Sequence, residues 1–254
     1  MLLRRLTILA VLAVASAAPS KRCSGSRPEP SLPVHGGGRE LPAPPNGTRL
    51  KHVVLGHGYQ NYTCAPAGDS GPAYTSKPTG ALAVLYDVRP FFPSQSENSL
   101  ALDAVFALAQ EAAYSIPVPL NLADHPPGGR IPGSAAAVAV ENPWIPLADL
   151  TLDGVGAPLR AVGHHFFDSE GVPEFDVGDD LFKARKVDDV SAPEGAPEGE
   201  DGSKAVAWLL MDDAGGSVGI KHVYRVNTVG GAGHACEGEG DDSSVYTAFY
   251  YMYG

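Results

Sequence analysis

The sequence predicts a mainly β protein: an antiparallel β-sandwich or barrel-like core with one covering helix and long loops. Three observations predict it. Short runs rich in β-branched and aromatic residues recur between Gly- and Pro-containing turn signals at fairly even spacing. Repeated strand–helix–strand alternation, which a parallel sheet needs, is missing. The closing run is apolar on both alternating sets, with Tyr246, Ala248, Tyr250 and Met252 on one and Val245, Phe249, Tyr251 and Tyr253 on the other. Such a strand is central or covered on both sides.

The elements follow in chain order. Arg4 and Arg5 precede an apolar run, Leu6 to Ala15, too short to span a bilayer, and Ala15-Ser16-Ala17 supplies small residues for cleavage, so residues 1–17 read as a signal peptide. Residues 18–49 carry six prolines from Pro28 to Pro45 and the glycines Gly36 to Gly38, which reads as a flexible leader. A single β-rich domain is expected over 50–254. His52 to Leu55, Tyr59 to Cys64 and Ala81 to Val88 are strand-like. From Ser99 to Ser115 the period becomes helical, with Leu102, Val105, Phe106, Ala109 and Ala113 at three- and four-residue steps, Ser99 as N-cap and Pro117 as the stop. The stretch to Pro146, including the small-residue run Ala135 to Val140, reads as loop with short strands. Ala161 to Phe167, Ala205 to Met211, His222 to Val229 and Val245 to Tyr253 complete the strands. Between them Ala192 to Gly195 repeats as Ala196 to Gly199 in a charged loop.

Charge and composition narrow the partners. The 254-residue chain carries a net charge of −11, which disfavours a nucleic-acid backbone, since such binding needs clustered Lys and Arg. No second apolar stretch reaches membrane-spanning length, so no membrane association is expected. A secreted, extracellular glycoprotein is the expectation, with sequons at Asn46 and Asn61. Three cysteines, Cys23, Cys64 and Cys236, leave an odd one in an oxidising compartment.

Two blocks carry a family resemblance. Gly58, Gln60, Tyr62 and Cys64 form the first; Trp208, Leu209 and Leu210, then Arg225, Val226, Asn227, Thr228, Gly230, Gly231, Cys236 and the strand from Tyr246 form the second. Together they resemble the secreted fungal and bacterial domain of unknown function 3455 family. The middle departs from the family pattern, with His164-His165-Phe166-Phe167 and Pro173-Glu174-Phe175-Asp176 in place of its usual motifs. The resemblance implies a fold and a secreted setting but no established activity. It places Cys64 and Cys236 at the ends of the two blocks and so suggests that they pair. Members sometimes carry the label malate dehydrogenase, yet no Gly-x-Gly-x-x-Gly turn lies between a strand and a helix, so no nicotinamide cofactor is expected.

Three constellations bear on chemistry. His57, His165 and His234 suit zinc or copper and would make the chain a metal-dependent hydrolase or oxidoreductase; their bland reading is as satisfied core or surface histidines. Gln60, Arg225 and Asn227, on one sheet face, can hydrogen-bond a carboxylate or sugar hydroxyls, or simply satisfy a buried turn. Trp144, in a loop after Pro143, is a candidate sugar-stacking ring. No Gly-x-Ser-x-Gly elbow is present, and Gly68-Asp69-Ser70-Gly71-Pro72 reads as a surface turn. The expectation is therefore a binding or structural β-domain, with polysaccharide or cell wall as partner.

Overall fold

Two long apolar strands set the frame. β1 (Leu50–Pro66) and β8 (Gly240–Tyr253) pair antiparallel along almost their whole length, from Leu50 opposite Tyr253 to Cys64 opposite Gly240. Between them in the chain, β2 (Tyr74–Asp87), β3 (Arg160–Phe167), β4 (Pro173–Val177), β5 (Asp180–Val190), β6 (Trp208–Asp213) and β7 (His222–Gly230) each pair antiparallel with the strand before. β7 then pairs β8, so contact between first and last strands closes an eight-stranded barrel in simple chain order. These relations come from a computed structural model, which describes residues 27–68, 73–123, 138–139 and 141–254. The sequence readings at 1–17, Cys23, 69–72 and most of Ala135 to Val140 lie outside the described residues.

Alternation assigns the faces. Opposed residues share a face, so the register Val54–Tyr250, Gly56–Ala248 and Gly58–Tyr246 places these six side chains or glycines in the bore. Val54, Leu85, Phe175, Val177, Phe182, Met211, Val223, Tyr246, Tyr250 and Met252 form one buried cluster there. The opposite set of β8, Phe249, Tyr251 and Tyr253, forms a second cluster with Leu55, Tyr86, Tyr224 and Val226 outside the barrel. That outer layer is roofed by α1 (Leu102–Ser115), whose Val105, Leu108, Ala109, Ala112 and Ala113 are buried. The two-faced apolarity of the last strand thus has its cause: filled bore on one side, helix on the other.

The helix starts two residues later than its sequence signal. Ala101 occupies the N-cap without a side-chain bond, whereas the Ser99 hydroxyl accepts from the backbone N–H groups of Gln95 and Ser96 and shapes the preceding turn. Its end is as expected: Ile116, before Pro117, is extended, because the proline ring disfavours helical backbone in the residue ahead of it.

Residues 27–49 also differ from their compositional reading as flexible leader. They are extended but anchored: Leu41 is buried, Leu32 and Val34 pack on the outer cluster, and Arg39 forms a two-pronged pair with Asp188 of β5. Gly36 is needed for this, since a Cβ there would sit 2.2 Å from the Val190 Cγ2. The glycines permit close backbone approach rather than freedom.

Cys64 and Cys236 are bonded, with 5.7 Å between their Cα atoms. The bridge ties the segment after β7 to the end of β1. We refer to this end of the barrel as the upper rim. At the lower rim, Lys51 and His52 both reach the Asp180 carboxylate, each at 2.7 Å. Burial alone would raise the Asp180 pKa; the hydrogen bonds from Lys51 and His52 outweigh it and hold the group below its ordinary value.

Candidate functional site

The bore is apolar below and polar above. Ascending β1, inward positions run Val54, Gly56, Gly58 and Gln60; ascending from the end of β8 they run Met252, Tyr250, Ala248, Tyr246 and Ser244. From β7, Arg225 stands opposite Tyr250 and so faces inward. Gln60 and Arg225 therefore share the face that the sequence predicted for them. Eight strands leave an interior that side chains just fill or that holds one small ligand. Here rings fill the lower and middle bore, and the upper part holds hydrogen-bonding groups.

Arg225 is the charge of the bore. Its Nε and Nη2 donate to the Ala207 carbonyl at 3.2 and 2.9 Å, and its guanidinium reaches the Tyr250 hydroxyl. The side chain is half-buried, and among the described residues no carboxylate pairs with it. The neighbouring phenols supply no countercharge: burial pushes Tyr246 and Tyr250 above their ordinary range, only partly offset by Arg225, so both stay neutral. Their hydroxyls lie 3.2 Å apart, and Gln60 reaches that of Tyr246. A polar chain Arg225–Tyr250–Tyr246–Gln60 thus lines the bore.

His165 joins it from β3, stacked on Phe175 with ring centroids 3.9 Å apart. Its Nδ1 faces the Glu174 carbonyl at 2.7 Å, so Nδ1 carries the proton and Nε2 is an acceptor. Burial pushes its pKa down to about 4; the Glu174 bond opposes this and the Arg225 charge adds to it. The consequence for stability has a definite sign. Above pH 6.5 neither state binds a proton here; as pH falls from about 6.5 toward 4 the unfolded chain protonates first, so the folded state loses about 3 kcal/mol. Urea unfolding at pH 7 and pH 4 checks this: His165→Gln, uncharged throughout, is expected to lose about 3 kcal/mol less than wild type over that interval. Parallel losses would contradict the assignment.

The other predicted residues are dispersed. His57 lies on the outer face of β1 beneath α1, its Nε2 donating to the Ile116 carbonyl at 3.0 Å. His234 lies at the upper rim, with Nδ1 donating to Asp242 at 2.7 Å and Nε2 3.3 Å from the Asp201 carbonyl. His57, His165 and His234 therefore occupy the outer face, the bore and the rim, and cannot share one ion; among the described residues no three His, Cys, Asp or Glu side chains group as a metal site. The expected zinc or copper cluster is corrected accordingly. Ser244 is not poised as a nucleophile at the rim: its Oγ is 3.4 Å from His234 Nδ1, but it is buried and donates to the Ala232 carbonyl at 2.7 Å.

Asn227 departs from Arg225 as well. The β7–β8 register shifts between Val226 and Val229, and Asn227 takes a left-handed φ of 47°, so its side chain lines the outer face beside α1 instead of the bore. Trp144 is half-buried, tilted on His164 with centroids 4.2 Å apart and edge-on to Phe166 outside β3. Of the sequons, Asn46 is exposed in a turn and Asn61 is half-buried on β1. Sequence reasoning missed Tyr250 as the partner of Arg225 and His165 as a ring in the same bore; the signal was inward alternation on β3 and β8, which needed the register to become visible.

Asp201, in the charged repeat loop, is anchored instead of solvated. It accepts from the Ser203 N–H and hydroxyl and from the Val245 N–H, fixing that loop to the start of the apolar part of β8.

Comparison with known proteins adds a family and no chemistry. No curated protein and no solved structure matches the chain. The family described as protein of unknown function (DUF3455) matches residues 44–254, which is the barrel with its helix and the last turn before β1. With most of its length matched, this chain belongs to that family.

Proposed function

We propose that the chain is an extracellular binding barrel whose bore takes the carboxylate of an acidic sugar. One observation carries this reading: a half-buried guanidinium aimed into the bore without a carboxylate partner among the described residues. A carboxylate accepts two parallel bonds from a guanidinium and removes the cost of an unpaired half-buried charge. Gln60, the tyrosine hydroxyls and His165 Nε2 offer donors and acceptors for ring hydroxyls in the same bore. The net charge of −11 works against a long polyanion lying across the molecule, so a chain end entering the bore fits best. The extracellular setting is supported by the Cys64–Cys236 bond, which persists in oxidising compartments, and by the charged-then-apolar start of the sequence. No described helix is long and apolar enough to cross a bilayer.

Calorimetric titration with galacturonate and galactose tests the reading. Galacturonate is expected to bind at least tenfold more tightly, and Arg225→Met to abolish the difference while leaving Tm unchanged or higher. A structural Arg225, whose value lies in bonding the Ala207 carbonyl, predicts a lowered Tm and no preference between the two sugars.

A further inference from the structure

A second site lies outside the barrel. A groove of about 360 Å³ runs between one face of α1 (Asp103, Phe106, Gln110), the loop Pro193 to Pro197, and Trp208 with Asn227 on the outer side of β6 and β7. Its walls are held in place. Tyr114 of α1 donates its hydroxyl to the Glu198 carbonyl, and the Gly230 N–H donates to the Pro197 carbonyl at 3.1 Å, so the loop is pinned to the helix and to the sheet.

Three irregularities converge on the groove. Trp208 is only 4% exposed, yet its indole Nε1–H has no acceptor. The Asn227 amide Nδ2 is likewise buried without one. Asn227 also carries the positive φ at the β-bulge, a strained conformation for a residue with a Cβ. Buried donors without acceptors cost free energy, and a bulge that aims one of them into a cleft is a feature of binding sites.

The lining selects the ligand. Two N–H donors call for acceptors, but Asp103 and Glu194, both exposed and in no ion pair among the described residues, repel an anion. Backbone carbonyls accept without negative charge, and Lys or Arg side chains complement the two carboxylates. A saccharide would want an open aromatic face for stacking, whereas the ring of Trp208 is almost wholly covered and offers none. We propose that this groove binds an extended basic peptide, with Trp208 and Asn227 donating to its carbonyls and Asp103 and Glu194 facing its cationic side chains. Pro193, Ala107 and Phe106 provide the apolar floor and walls that proline or alanine of such a peptide fits.

The chain has two tryptophans, so its indole N–H signals are resolvable in ¹⁵N-labelled full-length protein, with Trp208→Phe giving the assignment. The probes are a capped octapeptide of alternating Lys and Pro, its Glu–Pro counterpart, and a neutral N-acetylglucosamine oligomer. The Lys–Pro peptide is expected to move the Trp208 indole signal saturably and the other two to leave it in place. Asn227→Gly, which accepts the positive φ without strain, is expected to keep Tm and weaken the Lys–Pro peptide at least tenfold. A Trp208 signal unmoved by the Lys–Pro peptide, moved instead by the saccharide, or moved equally in Asn227→Gly overturns the proposal.

Discussion

Gly58→Ala is expected to abolish cooperative folding. A Cβ at this position would stand 1.9 Å from the Leu82 carbonyl oxygen and 2.6 Å from the Ala83 Cα, both backbone atoms of the neighbouring strand β2. Flexible side chains yield to such contacts, but β2 cannot yield here. Its register to β1 is fixed by residues on both sides of Gly58, and Tyr246 occupies the bore opposite it. The cost therefore falls in the range of severe core changes, above about 4 kcal/mol. Gly80→Ala is the matched control, because a Cβ there meets nothing closer than Phe167 at 3.7 Å. It is expected to lose less than about 1 kcal/mol. Thermal and urea unfolding of the two variants makes the comparison; similar melting of both would show that the close approach at Gly58 is not rigid.

Removal of the disulfide by paired Cys64→Ala and Cys236→Ala substitution is expected to cost about 2–5 kcal/mol. The bond spans 172 residues of chain, so its loss enlarges the unfolded ensemble substantially. It also loosens the segment from Gly231 to Cys236, whose other anchors include the Tyr62 hydroxyl on the Gly231 carbonyl, Ser244 on the Ala232 carbonyl and His234 on Asp242. Since this segment borders the upper rim, sugar binding should weaken along with stability. Urea midpoints of wild type, wild type under reductant and the double variant test the effect. A double variant as stable as oxidised wild type would contradict it.

Much of this architecture is legible in the sequence because burial leaves a period. The expected runs overlap β1, β2, α1 and β8, although β1 is one strand in place of two runs and β2 begins at Tyr74 instead of Ala81, and the double apolar set of β8 correctly implies cover on both faces. The hairpin of β4 and β5 was hidden by its composition. Phe182 and Ala184 point into the bore while Lys183 and Arg185 point out, so a half-buried strand reads as a charged segment. The Gly178-Asp179 turn between β4 and β5 was its available signal. Closure depends on pairing residues almost two hundred positions apart, a register that no local pattern encodes.

The same limit governs the sites. Arg225 and Gln60 could be matched in face because strand alternation holds through them, whereas the bulge after Val226 breaks alternation and carries Asn227 to the other side of the sheet. The three histidines looked equivalent by residue type, and only their faces separate them. Anchoring of residues 27–49 rests on Leu41 and Gly36 meeting partners in distant parts of the chain, which composition does not express.

The most direct test of the carboxylate site is the ¹⁵N–¹H signal of Arg225 Nε followed while galacturonate is added. A saturable shift of this signal, absent with galactose at the same concentration, is the predicted result. An Arg225 signal that stays in place, whether galacturonate fails to bind or binds elsewhere, would contradict the assignment of the bore as a carboxylate site.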